Sequence, residues 1–308
     1  MFRPIFTNNP FTRWASRLVL ACCLLPAATP AIAAEEKNEG IRLYQNQQYH
    51  EAAPLLKRAA IKGNAKAQAA LGLMYMEGLG VSQNYRKAKK WFEKAARQGR
   101  ADAQTFLGML YSRGQGVEQD FTTAKTWFEK AAEQDFAPAQ TLVGIMYAKG
   151  VGTFRNMTQA ERWLVRAADQ GENDAATFLG ILYLDGKELP ANTEEAFRRF
   201  SQAAERGDAN AQAALGMMYF SGQATTRDPQ KAAEWLEKAA TGGNTDAQTF
   251  LGTLYYRGIG IEKNIAKAGY WLQKAAIAGD ADAQNTLNDL LGTTQTGTDT
   301  TKTTPIAE

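Results

Sequence analysis

The chain of 308 residues carries 35 Lys and Arg against 32 Asp and Glu, with one histidine and two cysteines. Most zinc sites need several His or Cys ligands, and Ser-His-Asp or Cys-His catalysis needs a positioned imidazole. The only histidine, His50, adjoins Glu51 in a polar segment that is typical of a protein surface. The composition therefore argues against these classes of site, and we expect no catalytic residue, no metal site and no cofactor.

Residues 1–33 have the pattern of an export signal. They contain three arginines and no acidic residue, followed by an apolar run over 18–28 and by small residues that place the cleavage after Ala33. The run is too short for a stable membrane span, which needs about 20 apolar residues. We predict a periplasmic or secreted protein. A retained anchor and lipidation at Cys22 are the alternatives.

Cleavage after Ala33 would remove both cysteines, so we expect no disulfides in the mature chain. It would also leave 32 basic and 32 acidic residues, which is a formal charge of zero. The positive charge of the whole chain therefore comes from the signal. Since no basic excess remains to contact phosphates, we expect no nucleic-acid partner.

A sequence repeat governs most of the remaining chain. Leu-Gly or Val-Gly, followed three residues later by Tyr, returns six times with a period of 36 residues, first at Gly72 and Tyr75. A fixed period of this length is typical of a solenoid, in which each copy buries its apolar face against the next. We assign 65–291 to six repeats plus a C-terminal capping helix. An incomplete copy over 34–64 is predicted to be an N-terminal capping helix pair.

Each repeat reads as two helices. In the second copy, Ala103, Leu107 and Tyr111 are four residues apart, the spacing of one helix face. The second helix has an apolar stripe that includes Trp127 and Phe128. Its start is marked in every copy by a side chain suited to capping free amides, at Asn84, Asp120, Asn156, Asn192, Asp228 and Asn264. The predicted fold is all-α, a right-handed superhelical solenoid of αα-hairpins.

A glycine lies at the eighth position of every first helix, although glycine costs roughly 1 kcal/mol there relative to alanine. The six copies are Gly72, Gly108, Gly144, Gly180, Gly216 and Gly252. A neighbouring helix that must approach the backbone closely would explain the absence of a side chain. We therefore predict a close contact at each of these glycines.

The pattern A-x-A-Q-x-x-L-G-x-x-Y-x-x-G-x-G-V, followed by A-x-x-W-F-x-K-A-A-x-x-G, resembles the Sel-one-like repeat, a relative of the tetratricopeptide repeat. Three departures affect local geometry: the fourth loop over 186–190 loses its second glycine, Arg199 replaces the expected tryptophan, and Asp135 replaces a closing glycine. The resemblance implies a non-catalytic scaffold. Similar bacterial envelope proteins act as adaptors for sensor kinases, for secretion or motor assembly, or for host contact.

The resemblance also supports a second interpretation, namely penicillin binding or β-lactamase-like hydrolysis, as assigned to cysteine-rich exported relatives. Those relatives carry a disulfide in each repeat, which this chain lacks. No serine here is followed by Lys at the spacing of S-x-x-K, and G-x-S-x-G does not occur. We therefore favour the non-catalytic interpretation.

The sixth and ninth positions of the first helices are candidates for binding a protein or peptide. On a helical wheel they point away from the packing arc, yet they are apolar, and exposed apolar surface usually marks a binding site. We expect them to line a concave groove with charged residues along its edge. The alternative is that the preceding repeat covers them as core. The candidates are Leu73, Phe106, Met109, Ile145, Phe178, Ile181, Met217 and Phe250.

Residues 292–308 are rich in threonine and lack apolar periodicity. Such a segment cannot bury enough apolar surface to offset the entropy of ordering. We expect it to be disordered.

Overall fold

The computed structural model describes residues 35–292. In this range the chain forms fifteen α-helices and no strand. The predicted export signal and the predicted tail beyond Gly292 lie outside the described residues. The helices are α1 Glu35–Gln45, α2 Tyr49–Ile61, α3 Ala65–Glu77, α4 Tyr85–Arg97, α5 Ala101–Arg113, α6 Phe121–Ala132, α7 Ala137–Lys149, α8 Met157–Asp169, α9 Asn173–Asp185, α10 Thr193–Glu205, α11 Ala209–Ser221, α12 Pro229–Thr241, α13 Thr245–Arg257, α14 Ile265–Ile277 and α15 Ala281–Leu291.

The described chain forms two compact units that divide after Ala203. Unit 1 contains α1 to α9 and most of α10, and unit 2 contains α11 to α15. Consecutive helices pack pairwise within each unit, as α3 packs on α4 and α11 on α12. The predicted helical hairpins and their period of 36 residues are confirmed, because the first helices begin at Ala65, Ala101, Ala137, Asn173, Ala209 and Thr245.

The predicted caps begin the second helices. Asn84 Oδ1 accepts the Lys87 N–H at 2.9 Å, and the Asp120 carboxylate accepts the N–H groups of Thr122 and Thr123. These bonds satisfy amides that have no partner inside the helix. The same bond is formed at Asn156, Asn192, Asp228 and Asn264.

The helical glycines lie where a side chain would clash. A Cβ at Gly108 would lie 2.6 Å from Phe128 Cε1 and 3.0 Å from the Ala124 carbonyl oxygen. The predicted close approach is confirmed, and it is made chiefly by the large side chain of the following helix. The corresponding pairs are Gly72 with Phe92, Gly144 with Leu164, Gly180 with Phe200, Gly216 with Leu236, and Gly252 with Leu272.

The stripe on the second helices is buried only in part. Ala124, Phe128 and Ala131 are fully buried, whereas Trp127 is partly exposed. The Lys130 ammonium lies 4.4 Å from the centroid of the Trp127 ring, a cation–π contact. The expectation that Trp127 belongs to the core stripe is therefore corrected: the ring lies at the border of the core, beneath a lysine.

Candidate functional site

In unit 1, four of the eight candidate binding residues are core. The exposed fraction is 4% for Leu73, 0% for Phe106 and 3% for both Met109 and Ile145. The expectation that these four line an open groove is corrected, because side chains this deeply buried offer almost no contact area to a partner.

Phe106 shows how the burial arises. Its ring stacks on Phe92 of the preceding second helix, with centroids 5.3 Å apart and an angle of 20° between the planes. Offset stacking of this kind adds to the stabilisation from area burial. At this position the core alternative is correct, because the sixth residue packs on the preceding repeat.

A shallow depression lies next to Leu73. It is lined by Ile41 and Tyr44 of α1 and by Arg100 and Asp102 at the start of α5. The Arg100 guanidinium donates to the Asp102 carboxylate, with 3.0 Å between Nε and Oδ1. Sequence reasoning missed these lining residues, because Arg100 lies in the connection between two repeats and the α1 residues lie in the segment that was only predicted to be a capping pair.

The fourth repeat differs from the three before it. Phe178 and Ile181, three residues apart on α9, are both partly exposed. Their equivalents in the preceding repeat, Leu142 and Ile145, are 2% and 3% exposed. Residues three apart on a helix lie on the same face, so Phe178 and Ile181 form one accessible apolar contact.

Unit 2 also exposes part of this face. Met217 on α11 and Phe250 on α13 are partly exposed. The Phe250 ring meets Phe220 edge-on, with centroids 5.0 Å apart and an angle of 85° between the planes. Phe250 therefore contributes both to packing and to accessible surface.

The thirteenth residue is charged in five of the six repeats, and Ser221 stands there in the fifth. Burial raises the pKa of the Glu77 carboxyl and lowers the pKa of the Arg113 guanidinium. Burial also lowers the pKa of Lys149. All three shifts disfavour the charged form, so Glu77, Arg113 and Lys149 are only partly solvated.

Two of the repeated tyrosines in unit 1 form hydrogen bonds to the preceding second helix. The Tyr147 hydroxyl donates to Glu129 Oε1 at 3.0 Å, and the Tyr183 hydroxyl donates to Glu161 Oε1 at 2.5 Å. Burial, together with this hydrogen bond and the charge of Glu161, raises the pKa of Tyr183. Tyr183 is therefore a neutral donor that joins two helices.

The described residues were compared with the requirements of a metal site and of a membrane span. In residues 35–292 there is no group of three His, Cys, Asp or Glu that could hold a metal ion. His50 is exposed. None of the helices in this range is long and apolar enough to cross a membrane.

Comparison with known proteins gives the same repeat boundaries. The Sel1 repeat profile matches residues 65–99, 101–136, 137–172, 173–208, 209–244 and 245–280. The chain is similar to a Sel1 repeat protein from Oxalobacter formigenes, with 36% identity and a TM-score of 0.71, over 79% of this chain and 97% of the other. No curated protein matches this chain.

The chain is also similar to c5321, a protective antigen of uropathogenic Escherichia coli strains, with 37% identity and a TM-score of 0.71. That alignment covers 85% of this chain and 58% of the antigen, so the chain spans less than two thirds of the antigen's length. The six profile matches cover most of the sequence, and the fold agrees with them. The chain belongs to the Sel1 repeat family.

Proposed function

We propose that this protein is an exported, non-catalytic scaffold that binds a protein or peptide through the accessible part of its first helices, above all through α9 of the fourth repeat. Sel1 repeats generally act as protein-interaction scaffolds. The observation that carries the proposal is the partial exposure of Phe178 and Ile181 on α9, where the equivalent residues of the preceding repeat are buried.

The α9 contact has the properties of a binding anchor. Binding energy concentrates in a few apolar side chains that a partner can desolvate, surrounded by residues that contribute little. Phe178 and Ile181 supply such apolar area on a helix whose position is fixed by the contact of Gly180 with Phe200. A rigid helix loses little conformational freedom on binding. Met217 and Phe250 offer the same kind of surface in unit 2.

Export is supported by the sequence of residues 1–33. The intact mass of the protein from the cell envelope tests this part of the proposal. A mature chain that begins at Ala34 supports it, while an unprocessed chain or acylation at Cys22 contradicts it.

Site-specific photo-crosslinking tests the binding face. A photoreactive phenylalanine analogue replaces Ile181 in one variant and Trp127 in a control, since Trp127 is also partly exposed but lies on a second helix. After irradiation of intact cells, mass spectrometry identifies crosslinked proteins. We expect one dominant polypeptide partner at position 181 that is absent at position 127.

Two outcomes would contradict the proposal. A partner captured equally at both positions would show that the crosslinks do not report a specific face. A partner captured at position 181 and retained by the Phe178→Lys variant would show that the α9 contact is not the anchor.

A further inference from the structure

Helix α4 carries an unusual concentration of positive charge. Among the 13 residues of Tyr85–Arg97, six are basic and one, Glu93, is acidic. The whole chain is close to neutral, with 35 basic and 32 acidic residues. The charge on α4 is therefore a local feature that the net charge conceals.

The basic side chains of α4 point outward. Ala88, Phe92, Ala95 and Ala96 are buried and fix the inward face. The exposed residues of the opposite face include five cations, which are Arg86, Lys87, Lys90, Lys94 and Arg97. From Arg86 to Arg97 the row spans about 16 Å, at 1.5 Å per residue.

Most of this charge is free of acidic partners. Lys89 pairs with Glu93 at 2.9 Å. In the part of the chain that the structure describes, Arg86, Lys90 and Arg97 form no ion pair. Unpaired like charges on one helix face repel one another and destabilise the helix slightly. The fold therefore gains nothing from keeping them together.

The other repeats show that the fold does not need these cations. At the positions of Arg86, Lys90 and Arg97, the second repeat has Thr122, Thr126 and Glu133. Lys94 is different, because a cation at its position stacks on the preceding tryptophan in several repeats, here 4.6 Å from the centroid of the Trp91 ring. Arg86 and Arg97 are thus cations only in α4, whereas the position of Lys90 is also basic in the third and fourth repeats, at Arg162 and Arg198. All three cations of α4 are exposed.

We propose that the outward face of α4 binds an acidic segment of a partner polypeptide. A shallow depression on this face is lined by Trp91, by Glu93 and by four of the cations, which are Lys87, Lys90, Lys94 and Arg97. Neighbouring cations four residues apart are about 6 Å apart along the axis. Alternate carboxylates of an extended chain are about 7 Å apart, so the two rows can pair repeatedly. The partly exposed Trp91 supplies an apolar contact within the charged surface.

Two other polyanions fit less well. A lipid surface is bound most firmly by a helix that also inserts an apolar face, and the apolar face of α4 is buried in the core. Single-stranded nucleic acid is held by a series of aromatic stacking platforms. The outward face of α4 offers a single aromatic side chain, Trp91, and so no series of platforms.

The test exchanges α4 charges for those of the second repeat, in the triple variant Arg86→Thr, Lys90→Thr and Arg97→Glu. A control triple variant, Arg206→Thr, Arg257→Thr and Lys263→Glu, changes the net charge equally at exposed residues of other helices and loops. Binding of a fluorescein-labelled oligo-glutamate peptide is measured by anisotropy at about 50 mM and about 300 mM salt. Phosphatidylglycerol vesicles and an oligothymidine are tested in parallel, and circular dichroism checks the fold.

We expect the wild type to bind the peptide at low salt and to lose affinity as salt rises. The α4 variant should bind the peptide roughly tenfold more weakly. Loss of each exposed charge pair should lower the affinity about two- to threefold, and the three losses multiply. The control variant should bind like the wild type. Equal binding by the wild type and the α4 variant overturns the proposal. Tighter binding of the wild type to vesicles or to the oligothymidine than to the peptide also overturns it.

Discussion

The Arg199 guanidinium lies 2.6 Å from the Asp169 carboxylate, measured from Nη1 to Oδ1, and so joins two consecutive second helices of unit 1. Arg199 also donates from Nε to Glu195 Oε1 at 2.8 Å. Its side chain is 4% exposed. An arginine thus occupies the place of the repeat tryptophan, and its buried charge is compensated by two carboxylates.

Replacing Glu195 with Gln should lower the free energy of unfolding by about 1–2 kcal/mol, because Glu195 is the less exposed of the two carboxylates and bonds a buried cation. Asp169→Asn should cost less than about 1 kcal/mol, since the Asp169 side chain is 58% exposed and its attraction is screened by water. Urea unfolding of both variants measures the difference. Equal losses would contradict this ranking.

The Glu195 contact also predicts an acid dependence of stability. Hydrogen bonds from Arg198 and then from Arg199 hold the pKa of Glu195 below its ordinary value of 4.5. A lowered pKa in the folded state stabilises the protein above the ordinary value, and this contribution is lost as pH falls through the lowered pKa. The stability difference between wild type and Glu195→Gln should therefore shrink as pH falls below 4.5. A constant difference down to strongly acidic pH would refute this assignment.

Gly108→Ala should destabilise the protein by roughly 1–3 kcal/mol, because the added methyl group meets the Phe128 ring and overpacks the core. Gly269 is the matched control, since it also lies within a helix, α14, but a methyl group added there would meet only open space. Gly269→Ala should stabilise the protein by about 0.5–1 kcal/mol through helix propensity. Thermal unfolding shows whether each substitution raises or lowers the stability of the protein. A stabilising effect of Gly108→Ala would contradict the close contact.

Phe128→Ala should cost about 3–5 kcal/mol, because the ring is fully buried against Gly108. Trp127→Ala, at the next residue, should cost clearly less, since the indole is partly exposed and is covered by the Lys130 side chain. Chemical unfolding measures the free energy of unfolding of both variants, whose substituted residues are neighbours in one helix. If Trp127→Ala proved the more damaging change, the placement of the indole at the border of the core would be wrong.

Ile145→Lys and Ile181→Lys should differ in stability although the two residues are equivalent in the repeat. Ile145 is 3% exposed, so a lysine there buries a charge without a partner and should cost about 4 kcal/mol or more. At the partly exposed Ile181 the lysine can extend into water, and the loss should stay below about 2 kcal/mol. Thermal unfolding followed by circular dichroism measures the stability of each variant. Unfolding of both variants would place Ile181 in the core and remove the proposed anchor.

The fold could be predicted from the sequence because its signals are local and repeated. The cap at Asn84 and the glycine at Gly108 act within one helix or between sequence neighbours, and each returns after 36 residues. The contacts of one repeat are therefore close to those of the next. Six consistent copies are enough to determine the helix boundaries, the hairpins and the family.

The candidate face could be predicted only in part. A helical wheel separates the side of a helix that packs on its own hairpin from the opposite side, but it carries no information on how deeply a neighbouring repeat covers that opposite side. Phe106 is apolar and points away from its own hairpin, yet it is core because Phe92 lies against it. Ile145 and Ile181 have the same sequence position and different exposure.

The sequence by itself thus determined the repeat, the all-helical hairpins and the local departures at Asp135 and Arg199, because these depend on contacts within a few residues or between fixed neighbours. Only the tertiary structure decided which apolar side chains remain accessible, and it showed that Arg199 is a buried, compensated ion. Accessibility depends on the distance between helices far apart in sequence. That distance is determined by many side-chain contacts together, so it cannot be predicted from the residue type at one position.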